Sequence, residues 1–390
     1  MSSHLFVLIL HPLYLLILLL LLGRLTESLS PLSRPSRFLV VGGNGRVGGS
    51  TAKHLHILSE AEGRPVELIL GGRSETSFAT SKARIIDQLK AQGKASLPAI
   101  SFQAVNLDIE DPGVLTEAIK SCRADCVVHT AGPFQQRTRP VLLEASISAG
   151  VPYVDVCDEP PLCKASKELQ AAAVAEQAVA VVAGGIWPGV SALMAAEAVH
   201  ALRRVLHDGS KDEGKGAACS RGEEEVHAAP CDDESVDLSF FTAGTGNAGA
   251  TIVSATFLLL CQPALTLRNG LPQELEPWTS PLEVDFGRGV GIRTVRLLDN
   301  PDVYTLSQQG TSARNEAAQD GSAPVFQPSP NIRSRFATAP AIWNQLFGAL
   351  KTVVPPSILA DRELMQKAAI FSLPIIRVVD KLVGATNASK

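Results

Sequence analysis

Five side chains able to move protons or attack carbon crowd into one short segment, YVDVCDEP: Tyr153, Asp155, Cys157, Asp158 and Glu159. Carboxyl groups that lie close together and partly out of water raise one another's pKa, so Asp155 or Glu159 can serve as a general acid near neutral pH. Tyr153 is the alternative donor. The competing reading is structural: Asp155 holds backbone N–H groups of its loop, and Cys157 is a packing residue.

A second cluster carries no reactive side chain. In FLVVGGNGRVGG, Phe38 to Gly49, the glycines Gly43, Gly45 and Gly48 fit GxGxxG. With 31 glycines in 390 residues the bare pattern is weak, and its context gives it weight. Four apolar residues, Phe38 to Val41, precede it as a buried strand. A helix follows, with Val47, Thr51, Leu55 and Leu58 expected on its inner face. Gly43 is then expected to turn the chain, Gly45 to let the backbone approach a diphosphate, and Gly48 to let the helix pack on the sheet. The main chain of Asn44, Arg46 and Val47 completes the cradle at the positive end of the helix. Without a ligand, the same glycines would be no more than a tight strand–helix turn.

The second strand ends LILGGRSE. The position where an NAD site keeps a carboxylate for the ribose 2′-OH holds glycine, and Arg73 and Ser74 follow. A guanidinium and a hydroxyl suit a 2′-phosphate, so NADP(H) is the expected cofactor. Glu75 would repel that phosphate if it pointed inward, and Arg73 as an ordinary surface residue is the alternative. Asn106 and Asp108 fall where an adenine edge would lie; Asp108 could equally cap the helix near Pro112. In HTAGPF, Ala131 and Gly132 let the backbone close over the cofactor, and Pro133 and Phe134 would wall the nicotinamide. AGGIWPGVSALM, Gly184 to Met194, opens a helix whose N-terminus could take a substrate carboxylate, with Trp187 as an apolar wall or a core residue.

These positions need elements to hold them. Six apolar runs (FLVVGG, VELILGG, ISFQAV, DCVVHTAG, VPYVDV and AVAVVAGG) alternate with segments of helical spacing. That pattern predicts an α/β fold: a Rossmann-type doubly wound parallel sheet over 37–206. A charged loop is expected over 207–235. A second α+β domain is expected over 236–390. Residues 1–36 read as a hydrophobic leader and a Ser/Pro linker. The run Leu5 to Leu22 is just long enough to cross a bilayer, and Arg24, Arg34 and Arg37 follow it. This favours an anchor with the folded part on the cytosolic or stromal side, the alternative being a plastid or other organelle after leader removal.

Composition excludes other classes. A net charge of −4 without a basic stripe argues against nucleic acid. Seven scattered cysteines with no CxxC pair read as reduced thiols, and eight histidines without ligand spacing predict no metal site. There is no GxSxG elbow, and no lysine follows a tyrosine as YxxxK.

GGNGRVGG, GGRS, HTAGPF, YVDVCDEP and GTGNAGATIVSATFLLL together resemble the saccharopine dehydrogenase-like oxidoreductases. The resemblance runs from about Phe38 to the C-terminus. It implies a Rossmann domain that binds NADP(H), a second domain over 236–390 that serves substrate binding and dimerisation and within which the chain stops short, a homodimer, and hydride transfer to or from a C=N or C=C bond of a small-molecule substrate. A catalytically inactive NADPH-binding membrane scaffold or redox sensor is the alternative function.

Overall fold

The computed structural model describes residues 34–94, 96–107, 111–132, 137–213, 235–243, 250–306 and 331–382. The leader 5–22, Asp108, Pro133 and Phe134 lie outside the described residues. Among the described residues no helix is long and apolar enough to cross a membrane.

All six expected strands form: β1 (Ser36–Val41), β2 (Val66–Gly72), β3 (Ala99–Ala104), β4 (Cys126–His129), β5 (Tyr153–Asp155) and β6 (Ala180–Val181). They pair in parallel in the order β3-β2-β1-β4-β5-β6. Sequence order reverses between β1 and β4, which opens a crevice at the carboxyl ends of those strands. The central strands are apolar at consecutive positions because both faces are covered. On one face Val40, Leu68, Leu70 and Val128 pack with Ala52 of α1 (Arg46–Ala61) and with Ile85 and Leu89 of α2 (Glu75–Ala91). On the other, Leu39, Val41, Ile69 and Val127 pack with Leu115 and Ile119 of α3 (Pro112–Ser121) and Leu142 of α4 (Val141–Ala149). Burying each such aliphatic side chain contributes roughly 1.5–3 kcal/mol.

The inner face of α1 differs from the expected one. Gly48, Gly49, Ala52 and His56 are buried, whereas Val47 and Leu58 are 55% and 63% exposed. The small residues turn inward because the helix start lies too close to the β1 loop for a branched side chain.

Past β5 come α5 (Pro160–Glu168) and α6 (Gln170–Ala175). The next helix, α7 (Val190–Glu213), runs through the start of the segment expected as a charged loop. Its Ala192, Ala195 and Val199 pack on Leu238, Leu267, Val303 and Ile332, so it belongs to the core of the second unit. That unit holds β7 (Ser235–Ala243), α8 (Ala250–Leu259), β8 (Ala264–Arg268), β9 (Leu271–Leu275), β10 (Leu282–Asp285), β11 (Ile292–Leu297) and β12 (Asn331–Ala339). The strands run β10-β11-β12-β8-β9, and β7 pairs with β12 in parallel. Three C-terminal helices, α9 (Ile342–Val353), α10 (Pro356–Leu359) and α11 (Arg362–Leu382), follow β12.

Candidate functional site

The turn from β1 into α1 continues the sheet for one step, with Gly42 N–H donating to Gly71 O at 2.8 Å. Gly42, not Gly43, makes the sharp turn: its φ is +83°, a region L side chains rarely enter. Gly48 is required by contact. A Cβ there would lie 2.4 Å from Gly42 O and 2.6 Å from Thr130 Oγ1. Thr130, at the end of β4, is tied to the same spot by its N–H and hydroxyl, both donating to Val41 O at 2.8 and 2.9 Å.

Helix α1 opens without a side-chain cap at Gly45 and with no acid in its first turn. Its first intrahelical backbone bond is Gly49 N–H to Gly45 O, 3.0 Å. A helix start of this kind presents donors and partial positive charge with nothing of its own to neutralise them.

Residues of α2 hold the loop in shape. Ser81 Oγ donates to Asn44 O at 2.6 Å and Arg84 Nη2 to Gly45 O at 2.9 Å. Asn44 Nδ2 donates to Ser74 O at 3.1 Å and to Ser77 Oγ at 3.0 Å, joining the β1 and β2 loops. A Cβ on Gly72 would meet Asn44 Nδ2 at 2.8 Å. The absent carboxylate at strand two thus has a steric reason: Asn44 fills its place. Ser74 caps α2, accepting from Ser77 N–H at 3.3 Å, and Arg73 is exposed beside it. At the third strand Asn106 is exposed, and the cap of α3 is Asp111, which accepts Gly113 N–H at 2.8 Å. Ala131 and Gly132 follow Thr130 at the mouth of the crevice.

The YVDVCDEP residues separate into two places. Tyr153 and Asp155 are 5% and 3% exposed and meet His129. His129 Nδ1 lies 2.8 Å from Tyr153 Oη, and that hydroxyl donates to Asp155 Oδ2 at 2.9 Å. Asp155 Oδ1 accepts the N–H groups of Cys157 (3.1 Å) and Ala183 (2.8 Å). Burial raises the pKa of Asp155 and pushes that of Tyr153 well above the usual phenol value; it lowers that of His129 to about 3. His129 is therefore neutral, and with the tyrosine proton committed to Asp155, its Nδ1 is the donor to Tyr153. The chain clamps β4, β5 and the strand-six loop together. A small cavity beside it, lined also by Leu107, Arg137 and Leu162, has room for about one water molecule.

Glu159 stands elsewhere, at the start of α5 and 3% exposed. Burial raises its pKa to about 7; Arg362 opposes the rise, and Asp158 and Asp299 add to it. Arg362 and Asp299 come from the second unit, so Glu159 is one of the titratable groups where the two halves meet. Cys157 is buried against Leu162 and Cys163.

At the sixth strand one expectation is corrected and one pair of alternatives is decided. The N-terminus of α7 is taken by the protein's own carboxylate: Asp302 accepts Gly189 N–H at 3.2 Å and Ser191 Oγ–H at 2.5 Å. Trp187 stacks on Phe240, with ring centroids 4.2 Å apart, and packs on Phe336, so it joins the two units as a core residue.

Residues 38–186 match the family model described as the saccharopine dehydrogenase NADP binding domain. The chain carries a saccharopine dehydrogenase NADP-binding domain. No curated protein sequence matches the chain. Among solved structures it is similar to apo saccharopine dehydrogenase (L-Glu forming) from Saccharomyces cerevisiae, at 11% identity over 81% of this chain and 57% of that one, TM-score 0.47. It is also similar to the WlbA dehydrogenase from Thermus thermophilus, solved with NAD and α-ketoglutarate, at 12% identity over 83% and 76% of the two chains, TM-score 0.34. The chain thus spans little more than half the length of the yeast enzyme. The residues present suit a dinucleotide: no side chain can be added at Gly48 without striking Gly42 O and Thr130 Oγ1, and the helix start is uncapped.

Proposed function

We propose that the protein is an NADP(H)-dependent oxidoreductase that moves hydride to or from a C=N or C=C bond of a small-molecule substrate. The uncapped, acid-free start of α1, pinned by Asn44, Ser81 and Arg84, carries this reading. Gly43, Asn44, Gly45, Arg46, Val47 and Gly48 would hold the diphosphate, Arg73 and Ser74 the 2′-phosphate, and Ala131 and Gly132 the nicotinamide end. When bound, the nicotinamide supplies or accepts the hydride.

The chain's own residues then have to manage a proton. Glu159 suits that task because it is buried at the junction and titrates near neutrality, so it can both give and take a proton at working pH. Tyr153 and Asp155, bonded to each other and to His129, would instead hold the ends of β4 and β5 in place. Support for membrane attachment comes from the apolar run 5–22 and the arginines after it, which favour the cytosolic or stromal side. The decisive test is fluorescence titration of the full chain with NADPH and NADH, followed by NADPH oxidation across a panel of imines and enoyl compounds. NADPH binding much tighter than NADH, with turnover of at least one compound, is the expected result. Equal affinities would remove the role given to Arg73, and binding without any oxidation would remove the enzyme.

A further inference from the structure

The second sheet sorts its charges by face. Along β12, Ile332 and Phe336 point to the helices: Ile332 packs with Ala192 and Val199 of α7, and Phe336 with Trp278 and Phe347. Arg333 and Arg335, one residue out of step, point to the opposite face. Register places Thr266 and Arg268 of β8 on that face too, since Leu267 pairs with Ile332. Gln273 of β9, paired with Thr266, joins them. Among nearby acids, Asp237, which register places opposite Arg333, shares the arginine face, whereas Asp299 and Glu274 lie on the helix side. Asp299 accepts Leu265 N–H at 3.0 Å, and Glu274, which pairs with Leu265 and raises the pKa of Asp299, sits with it.

The arginine face borders a half-open pocket of about 280 Å³ lined by Thr266, Arg268, Gln273, Ser280, Arg333 and Arg335. Arg335 is only 6% exposed; it pairs with Asp237, and its Nε donates to Ser280 O at 3.4 Å. Arg268 and Arg333 have no ion-pair partner among the described residues, so three guanidinium groups share one carboxylate around this space. Guanidinium forks of this kind match the paired oxygens of a carboxylate or phosphoryl group, and a cavity of this size holds a small metabolite.

We infer that the cavity walled by Arg268, Arg333 and Arg335 is a binding site for a small anion bearing a carboxylate or phosphoryl group. It lies on the face of the sheet turned away from α7 and Trp187, the elements that join the NADP-binding domain, so it is separate from the dinucleotide cradle. The inference stands independently of the proposed enzymatic activity.

Calorimetric titration of the full chain at low ionic strength, with inorganic phosphate and with succinate, tests it. Chloride at matched ionic strength is the control, and each titration is run with and without saturating NADPH. Saturable one-site binding of phosphate, succinate or both is expected, and which of them binds identifies the group recognised. Arg268→Gln and Arg333→Gln should each weaken binding at least tenfold, with NADPH titration and circular dichroism unchanged. Arg335 is left intact because its pair with Asp237 is part of the fold. No saturable binding of either anion, binding no stronger than chloride, or unaltered binding in the Arg268→Gln/Arg333→Gln double variant would overturn the site. Anion binding in a chain that failed to bind NADPH would leave it standing.

Discussion

Replacing Gly48 by alanine sets two opposing effects against each other. Alanine gains about 1 kcal/mol over glycine inside a helix from propensity alone. The new methyl, however, would sit 2.4 Å from Gly42 O, at least 0.6 Å short of the 3.0 Å that real Cβ atoms keep, and 2.6 Å from Thr130 Oγ1. Neither contact can swing aside: one is backbone, and the other is a short side chain bonded to Val41 O. The start of α1 must therefore move outward by the better part of an ångström. Overpacking of this kind costs about 1–3 kcal/mol, which leaves a net loss of stability of roughly 0–2 kcal/mol. Binding suffers more, because N–H···O bonds weaken outside about 2.7–3.2 Å. Two lost charge-assisted bonds at about 1.5–3 kcal/mol each predict at least a hundredfold rise in the Kd for NADPH. Urea unfolding and NADPH fluorescence titration of Gly48→Ala measure the two effects separately. A folded variant that still bound NADPH within threefold of the parent would refute the cradle, because its geometry would then not matter to the ligand.

Other groups give equally direct expectations. Arg73→Ala should weaken NADPH binding by about 10- to 100-fold and leave NADH unchanged, the loss of one or two bonds to a phosphate; parallel titrations decide it. Tyr153→Phe leaves His129 Nδ1 and Asp155 Oδ2 without their shared partner in a buried site. Unfolding free energy in urea should fall by about 2–4 kcal/mol, and a change below about 0.5 kcal/mol would deny the clamp. Glu159 holds its proton more tightly when folded, its pKa rising from 4.5 to about 7. Its contribution to stability is thus complete at low pH and is lost as pH climbs between those values, by about 3 kcal/mol, with no further change above. Glu159→Gln should abolish that slope and be the more stable protein at pH 8; parallel pH–stability curves would contradict the assignment.

The Rossmann half was readable because a parallel sheet covered on both faces writes itself as uninterrupted apolar runs, and all six were found. The second half was harder for local reasons. In ALTLRNGLPQEL the Asn269–Gly270 pair, with φ of 53° and 74°, marks the tight hairpin of β8 and β9, a signal that was present and passed over. Strand β12 has arginines where an alternating strand facing water would have small polar residues, so it stayed hidden. Charge alone made the start of the 207–235 segment look like a loop, although His207 to Glu213 continue α7. At the site, the glycine spacing was legible but the assignment of tasks slipped by one residue: the positive φ belongs to Gly42. The supporting bonds from Ser81 and Arg84 have no motif, since they depend on how two helices lie side by side. The surroundings of Glu159 could not be read from local pattern at all, because Arg362 arrives from the last helix of the chain.

Asn44 and Gly72 make cofactor choice a property of two loops at once. An acid introduced at position 72 to welcome an unphosphorylated ribose would first strike the amide that ties those loops together. A shorter residue at 44 alongside the new carboxylate at 72 would free the space that this amide fills.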